Sequence, residues 1–219
     1  MKRALGLLIA GLLGASAAFA SNSLTVTSPG LAPGPTTTGK KLQVNCDGST
    51  NNVYVETQEP NGETHYKATF SWSPGNLNLD ADKLLRIGAI NTNLGQNLLI
   101  FVRRNTGDNG WGVKVKFKDD VDATFRGLPY QFIMLQSVPA GTTRLITVEW
   151  QSDSSEGAGD GFIKVTKANT DGGSPASKTK TDVNNDDSTI ELGRFGVLGG
   201  SGNICNGGAF YFDEFSSFR

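Results

Sequence analysis

The 219-residue chain carries 20 lysines and arginines against 21 aspartates and glutamates, with one histidine, two cysteines and 28 glycines. Near neutrality excludes a protein that holds nucleic acid through an overall basic excess, and any histidine-based metal centre or serine triad would rest on His65 alone. The length suits one large domain or two small ones and is ample for a hydrophobic core.

The N-terminus reads Met1-Lys2-Arg3, then an apolar run to Ala18, then Ala18-Phe19-Ala20 before Ser21. Charge, short apolar stretch and A-x-A pattern are the three parts of a secretory signal, so residues 1–20 are expected to be removed. Gly6, Gly11, Gly14 and Ser16 break the run, which is too short for a stable membrane span. No later segment approaches spanning length, and no integral membrane segment is expected after cleavage. The mature chain is expected to be secreted, periplasmic or at the cell surface. Without Lys2 and Arg3 it carries about −3, a matter of solubility rather than of partners.

Residues 21–40 are rich in Ser, Thr, Pro and Gly and read as a flexible lead-in, with one short strand at Leu24 and Val26. Cys46 and Cys205 lie in the exported part, and an even count in an oxidising compartment points to a disulfide. The alternative is two separately buried thiols. A bridge would be worth on the order of 5 kcal/mol at most in the chain-entropy model, and it would set the two ends of the domain side by side.

From residue 41 onward the pattern is β. Leu42, Val44 and Cys46 alternate, as do Val53 and Val55. There follow Tyr66–Trp72, Leu84–Ile90, Leu98–Arg103, Trp111–Phe117, Tyr130–Leu135, Leu145–Trp150, Phe162–Thr166, Ile190–Val197 and Ala209–Phe218. Turn signals separate them, among them Pro60-Asn61-Gly62, Ser73-Pro74-Gly75-Asn76 and Gly157-Ala158-Gly159-Asp160-Gly161. Leu79–Leu85 allows one short helical turn at most. About a dozen short strands mean a sandwich, a jelly roll or a barrel. An outer-membrane barrel is disfavoured, because Arg103, Lys114, Lys116 and Glu214 interrupt the strand faces that would meet lipid.

Four segments carry a family resemblance in order. Pro60-Asn61-Gly62-Glu63-Thr64-His65-Tyr66-Lys67-Ala68-Thr69-Phe70 resembles the first long strand of bacterial laminin-G-like, concanavalin A-like domains. Leu145–Trp150, followed by the acidic, Gly-rich stretch 153–161, resembles their mid-domain strand and hairpin. Asn184-Asn185-Asp186 with Ile190–Val197 is similar to the penultimate turn and strand, and Gly207–Ser217 to the closing strand. The resemblance covers about residues 46–219. It implies an all-β, two-sheet antiparallel jelly-roll sandwich over residues 41–219, with first and last strands adjacent.

This fold also hosts enzymes, each with its own catalytic pattern. The Glu-x-Asp-x-x-Glu strand of laminarinase-type glycosidases is missing, and of the basic, aromatic strand with His and Tyr found in alginate-lyase-type members there is only His65 beside Tyr66. His65 reads as a solvated or pairing residue. The run Asp182–Asp187 opens like a calcium loop, but Asp187 stands where Gly is required and Gly193 where the closing Glu belongs. Asp213 of the closing strand could hold a structural calcium, as in related jelly rolls; otherwise it accepts hydrogen bonds from backbone or an arginine. Trp72 and Trp150 read as core. Trp111, following the polar loop with Asp108 and Asn109, is the best exposed platform for a sugar ring. The expectation is therefore a non-enzymatic exported module that binds a polysaccharide or an extracellular protein. Trp111, Asp108 and Asn109 would form its contact, with no cofactor beyond a calcium at Asp213. The alternatives are a structural envelope or matrix protein and a glycan-degrading enzyme of the same fold.

Overall fold

Tyr66, Ala68, Phe70 and Trp72 alternate with half-buried His65, Lys67 and Thr69, so one strand faces carbon on one side and water on the other. The same alternation repeats through the computed structural model, which describes residues 21–28, 30–31, 39–92, 95–107, 110–117, 131–139, 141–169, 175–199 and 205–218. Residues 1–20, Asp108 and Asn109 lie outside the described residues, and with them the expected signal segment and two of the expected contact residues.

The strands in chain order are β1 (Ser23–Thr27), β2 (Lys41–Cys46), β3 (Val53–Glu63), β4 (His65–Ser73), β5 (Leu84–Thr92), β6 (Gly95–Arg104) and β7 (Trp111–Phe117). Then come β8 (Gln131–Val138), β9 (Arg144–Gln151), β10 (Phe162–Asn169), β11 (Ala176–Thr181), β12 (Ile190–Val197) and β13 (Gly208–Phe218). They form a seven-stranded sheet, β1-β2-β13-β4-β9-β10-β11, and a six-stranded sheet, β3-β12-β5-β6-β7-β8. Every paired neighbour is antiparallel. The two-sheet jelly roll expected from the sequence is the fold observed.

The core between the sheets is sealed by aromatic contacts across the layers. Phe195 of β12 meets Phe70 of β4 at 5.2 Å between ring centroids and Phe212 of β13 at 6.1 Å, both tilted or edge-on. Gly196, beside Phe195, has φ +149°, and a Cβ there would lie 2.1 Å from the Val53 carbonyl oxygen. Only glycine lets β3 approach β12 this closely.

Cys46 ends β2 and Cys205 precedes β13; they are bonded, with Cα atoms 5.8 Å apart. The register Cys46↔Gly208 makes the bridge a clamp on a strand pair already formed by opposite ends of the chain.

Two elements depart from the sequence reading. Pro60-Asn61-Gly62 is no turn: β3 runs through it, and the register jumps from Gln58↔Leu192 to Glu63↔Ile190. An edge strand tolerates such a bulge and its proline because one row of backbone donors needs no partner. Ala176–Thr181, which is not among the strands expected from the sequence, is the edge strand β11 on β10. Its side chains are polar and mostly exposed, so no apolar alternation announced it, and Lys178 and Lys180 suit an edge that must not recruit further strands.

Candidate functional site

The expected sugar platform is not one. Trp111 is 4% exposed, its ring edge-on to that of Trp72 at 5.9 Å, inside the core. Trp72 and Trp150 are buried as well, so none of the three tryptophans offers a face to a sugar. The backbone alternation of β7 turns Trp111 to the same side as Val113, Val115 and Phe117.

Asp213 is buried and accepts hydrogen bonds from the Leu31 and Glu214 backbone N–H groups, each at 2.8 Å. Its carboxylate ties β13 to the segment before β2. Among the described residues no group of three or more His, Cys, Asp or Glu is arranged to hold a metal ion. The Gly-rich stretch after β9 is also structural. Asp153 takes the N–H groups of Gly159, Asp160 and Gly161 on its two oxygens, at 3.2, 2.7 and 2.8 Å. Its own N–H donates to Asn185 Oδ1 at 2.7 Å. Asn185 thus joins the loop to the turn before β12, which accounts for the Asn184-Asn185-Asp186 run.

Ligand chemistry must then come from the open faces. On the seven-stranded sheet, His65 lies 3.2 Å from Glu149, and in register Glu149 stands between Lys67 and Lys164. Thr69 and Thr147 hydrogen-bond to each other at 3.1 Å. Glu149 there offsets one of its two flanking lysines. A cleft of about 310 Å³ opens between the sheet edges, walled by Val26, Leu42, Val55, Phe195, Phe212 and Phe215. Its charged rim, Lys40 and Lys41 against Glu56, Asp213 and Glu214, leans acidic.

The outer face of the six-stranded sheet is different. Ala89, Leu99, Phe101 and Leu198, with Tyr54 and Leu84 packed against them, form an apolar floor separate from the core. Around it stand Arg86, Arg103, Lys114, Lys116 and Arg194. Their placement follows from period two: Leu98, Ile100 and Val102 point into the core, so Leu99, Phe101 and Arg103 point out. Register sets Lys116 beside Leu99, Lys114 and Arg86 on either side of Phe101, and Arg194 beside Ala89.

Two acids partly offset these cations. Arg194 Nε is 2.7 Å from Glu56, and Arg103 is 3.6 Å from Asp82. The Arg194 guanidinium lies 4.9 Å over the Tyr54 ring, and Lys116 Nζ lies 5.5 Å over Phe101. Arg86 is fixed by its Nε donating to the Leu198 carbonyl at 3.0 Å. Burial holds the Lys114 amine below the usual lysine range, and Lys116 and Arg103 push it the same way. A positive field sits over carbon, on a protein whose overall charge is slightly negative.

Arg103, Lys114 and Lys116 were visible in the sequence, but as charges that interrupt both faces of would-be membrane strands. They share one face. The signal was the alternation Val113-Lys114-Val115-Lys116-Phe117 set beside Leu99-Ile100-Phe101-Val102-Arg103, two strands whose outward positions both carry cations.

No family model matches the sequence, and no curated protein is similar to it at a significant level. Solved structures do share the fold. The endo-beta-1,4-glucuronan lyase of the fungus Trichoderma reesei superposes with a TM-score of 0.56 at 12% identity, over 91% of this chain and 87% of that one. Alginate lyase A1-II', a member of polysaccharide lyase family 7, gives 0.52 at 10% identity, over 81% and 79%. The alginate lyase of Klebsiella pneumoniae gives 0.51 at 11% identity over 71% of this chain, which spans 60% of that enzyme. The likeness establishes a concanavalin A-like jelly roll. It overturns the expectation of a non-enzymatic binding module, since these structures of the same architecture are glycan-cleaving enzymes, the alternative ranked lower on sequence grounds.

Proposed function

We propose that the protein is a polysaccharide lyase of this jelly-roll class, acting on an anionic, uronic-acid-bearing glycan across the outer face of the six-stranded sheet. The observation that carries the reading is the set of five cations over an apolar floor on one face of a net-acidic chain. Leu99 and Phe101 are themselves buried beneath this face, so a polyuronate is held there through its carboxylates, met and neutralised by guanidinium or ammonium groups. Elimination needs that neutralisation, because the proton alpha to a carboxylate becomes removable only when the negative charge building on its oxygens is stabilised. The neighbours named as lyases of glucuronan and of alginate, both acidic polymers, support the same class. The closing-strand resemblance to laminin-G-like domains concerns β13, in the other sheet, and does not bear on this face. An exported location goes with the reading: its supports are the signal-like N-terminus and the Cys46–Cys205 bridge, a bond favoured outside the cytosol.

The test is incubation with alginate, glucuronan and other polyuronates, following ultraviolet absorbance of unsaturated ends together with reducing-end release. Matching growth of both is expected. Reducing ends without absorbance would mean hydrolysis, and neither signal on any polyuronate would overturn the reading.

A further inference from the structure

We infer that the cleft between the sheet edges is a binding site for a small, uncharged, apolar molecule with the bulk of two fused aromatic rings.

Among the described residues four large apolar side chains are exposed: Val26, Val55, Phe215 and Phe218. Three of them, from β1, β3 and β13, converge on the lip of this one cleft. Single exposed apolar groups are ordinary, whereas a cluster of them marks an interaction site. From the lip the cleft reaches down to Phe70, Phe195 and Phe212 of the core. The Phe195 ring lies 4.9 Å from that of Phe215 and 5.2 Å from that of Phe70, so one aromatic wall runs from mouth to floor.

The backbone is shaped to make that wall. Between the register pairs Asp213↔Ser71 and Ser216↔Thr69, β13 carries two residues, Glu214 and Phe215, where β4 carries Phe70 alone. Glu214 absorbs the extra residue at φ 53°, a left-handed conformation uncommon outside glycine. The bulge delivers Phe215 to the cleft. Bulges re-aim side chains, and held backbone strain gathers at ligand sites.

Size and charge then define the occupant. An apolar cavity of about 150 Å³ takes a benzene ring; this cleft, at about 310 Å³, has room for twice that. Water filling it would find few hydrogen-bond partners on walls of Phe, Val and Leu, so carbon displaces it favourably. The rim asks for no charged head, because its charges are already engaged. Glu56 is paired with Arg194, Asp213 takes two backbone N–H groups, and Glu214 accepts from the Ser71 hydroxyl at 3.3 Å. Lys41 Nζ lies 4.5 Å over the Tyr211 ring, and Lys40 is engaged as well. A second copy of the chain, offering a broad surface, would cover the lip and leave the floor empty.

The experiment uses naphthalene as the probe, measured by equilibrium dialysis, on wild type and on Val55→Trp, Phe215→Ala and Phe218→Ala. All three positions are exposed, and thermal melting checks that each variant is folded. Wild type is expected to bind one naphthalene per chain and to melt higher in its presence. Val55→Trp, which fills the mouth, should abolish saturable binding. Phe215→Ala removes one aromatic wall and should weaken it about 2- to 10-fold. Phe218→Ala, away from the cleft, should bind as wild type does. Naphthalenesulfonate and naphthylmethylammonium should both bind more weakly than naphthalene. Tighter binding of either ion would overturn the uncharged class. Equal losses for Phe218→Ala and Val55→Trp would mean adsorption to any exposed carbon, and no saturable binding by wild type would overturn the site itself. A wild-type dimer that Val55→Trp splits, with no uptake of naphthalene, would give the cleft to a second copy instead. The assay contains no glycan, so its outcome is independent of the lyase reading.

Discussion

Trp72 and Trp111 meet edge to face at 5.9 Å, one from each sheet, with Trp111 presented to the core by the first residue of β7. Trp111→Ala is therefore expected to cost about 3–5 kcal/mol of stability, the scale for emptying a large aromatic from a core. Thermal melting would report it. At a temperature where the variant stays folded, its affinity for a polyuronate should equal that of wild type. Selective loss of affinity with unchanged melting would return Trp111 to the role the sequence suggested.

The carboxylate of Asp153 organises nine residues by taking three backbone N–H groups, while Asn185 holds Asp153 from the other side. Asp153→Ala strands three donors at once. Buried unsatisfied donors cost about 1–3 kcal/mol each, but solvent reaches part of this loop, so a total near 3 kcal/mol is expected. Asn185→Ala should cost a comparable amount, since it also abandons the Gln151 carbonyl. The double variant should lose less than the sum, because the two side chains serve one network. Denaturant unfolding of the four proteins checks this; strict additivity would mean that loop and turn are independent.

The sandwich could be read in the sequence because its core strands are amphipathic. Tyr66–Trp72, Val113–Phe117 and Leu145–Trp150 each name an inner and an outer side, and each forms a strand in the structure. β11 escaped notice because an exposed edge strand has no buried side to declare. The basic face escaped for another reason. A net charge near zero averages over both sheets, and alternation within one strand does not say which strands will be neighbours. Only the pairing β5-β6-β7 brings Arg86, Arg103, Lys114 and Lys116 together. Trp111 misled because the polar loop before it says nothing of the direction in which the next strand turns its first side chain.

The bridge between Cys46 and Cys205 closes a loop of sequence separation 159. Removing it by the paired change to serine is expected to lower stability by about 2–5 kcal/mol. Both sulfurs are buried, so reductant should reach them slowly in the folded protein and quickly in denaturant. Comparing unfolding midpoints with and without reductant tests the first expectation, and the rate of thiol appearance tests the second. An unchanged midpoint would mean that the β2–β13 pairing holds the ends together without help.

Charge reversal distinguishes the two open faces. Lys116 and Arg194 belong to the six-stranded face, whereas Lys67 and Lys164 flank Glu149 on the other. If the polymer lies across the six-stranded sheet, Lys116→Glu turns an attraction into a repulsion and should weaken polyuronate binding about 10-fold, or ~1.4 kcal/mol. Lys164→Glu should leave it nearly unchanged, because that residue lies on the opposite sheet, away from the polymer. Raising salt should weaken wild-type binding, and less so for Lys116→Glu, since exposed charges are screened within about 8 Å at physiological ionic strength. Equal losses for both variants would mean that the protein attracts the polymer by overall charge. A loss confined to Lys164→Glu would move the site to the seven-stranded sheet, where the single imidazole of the chain could then join the chemistry.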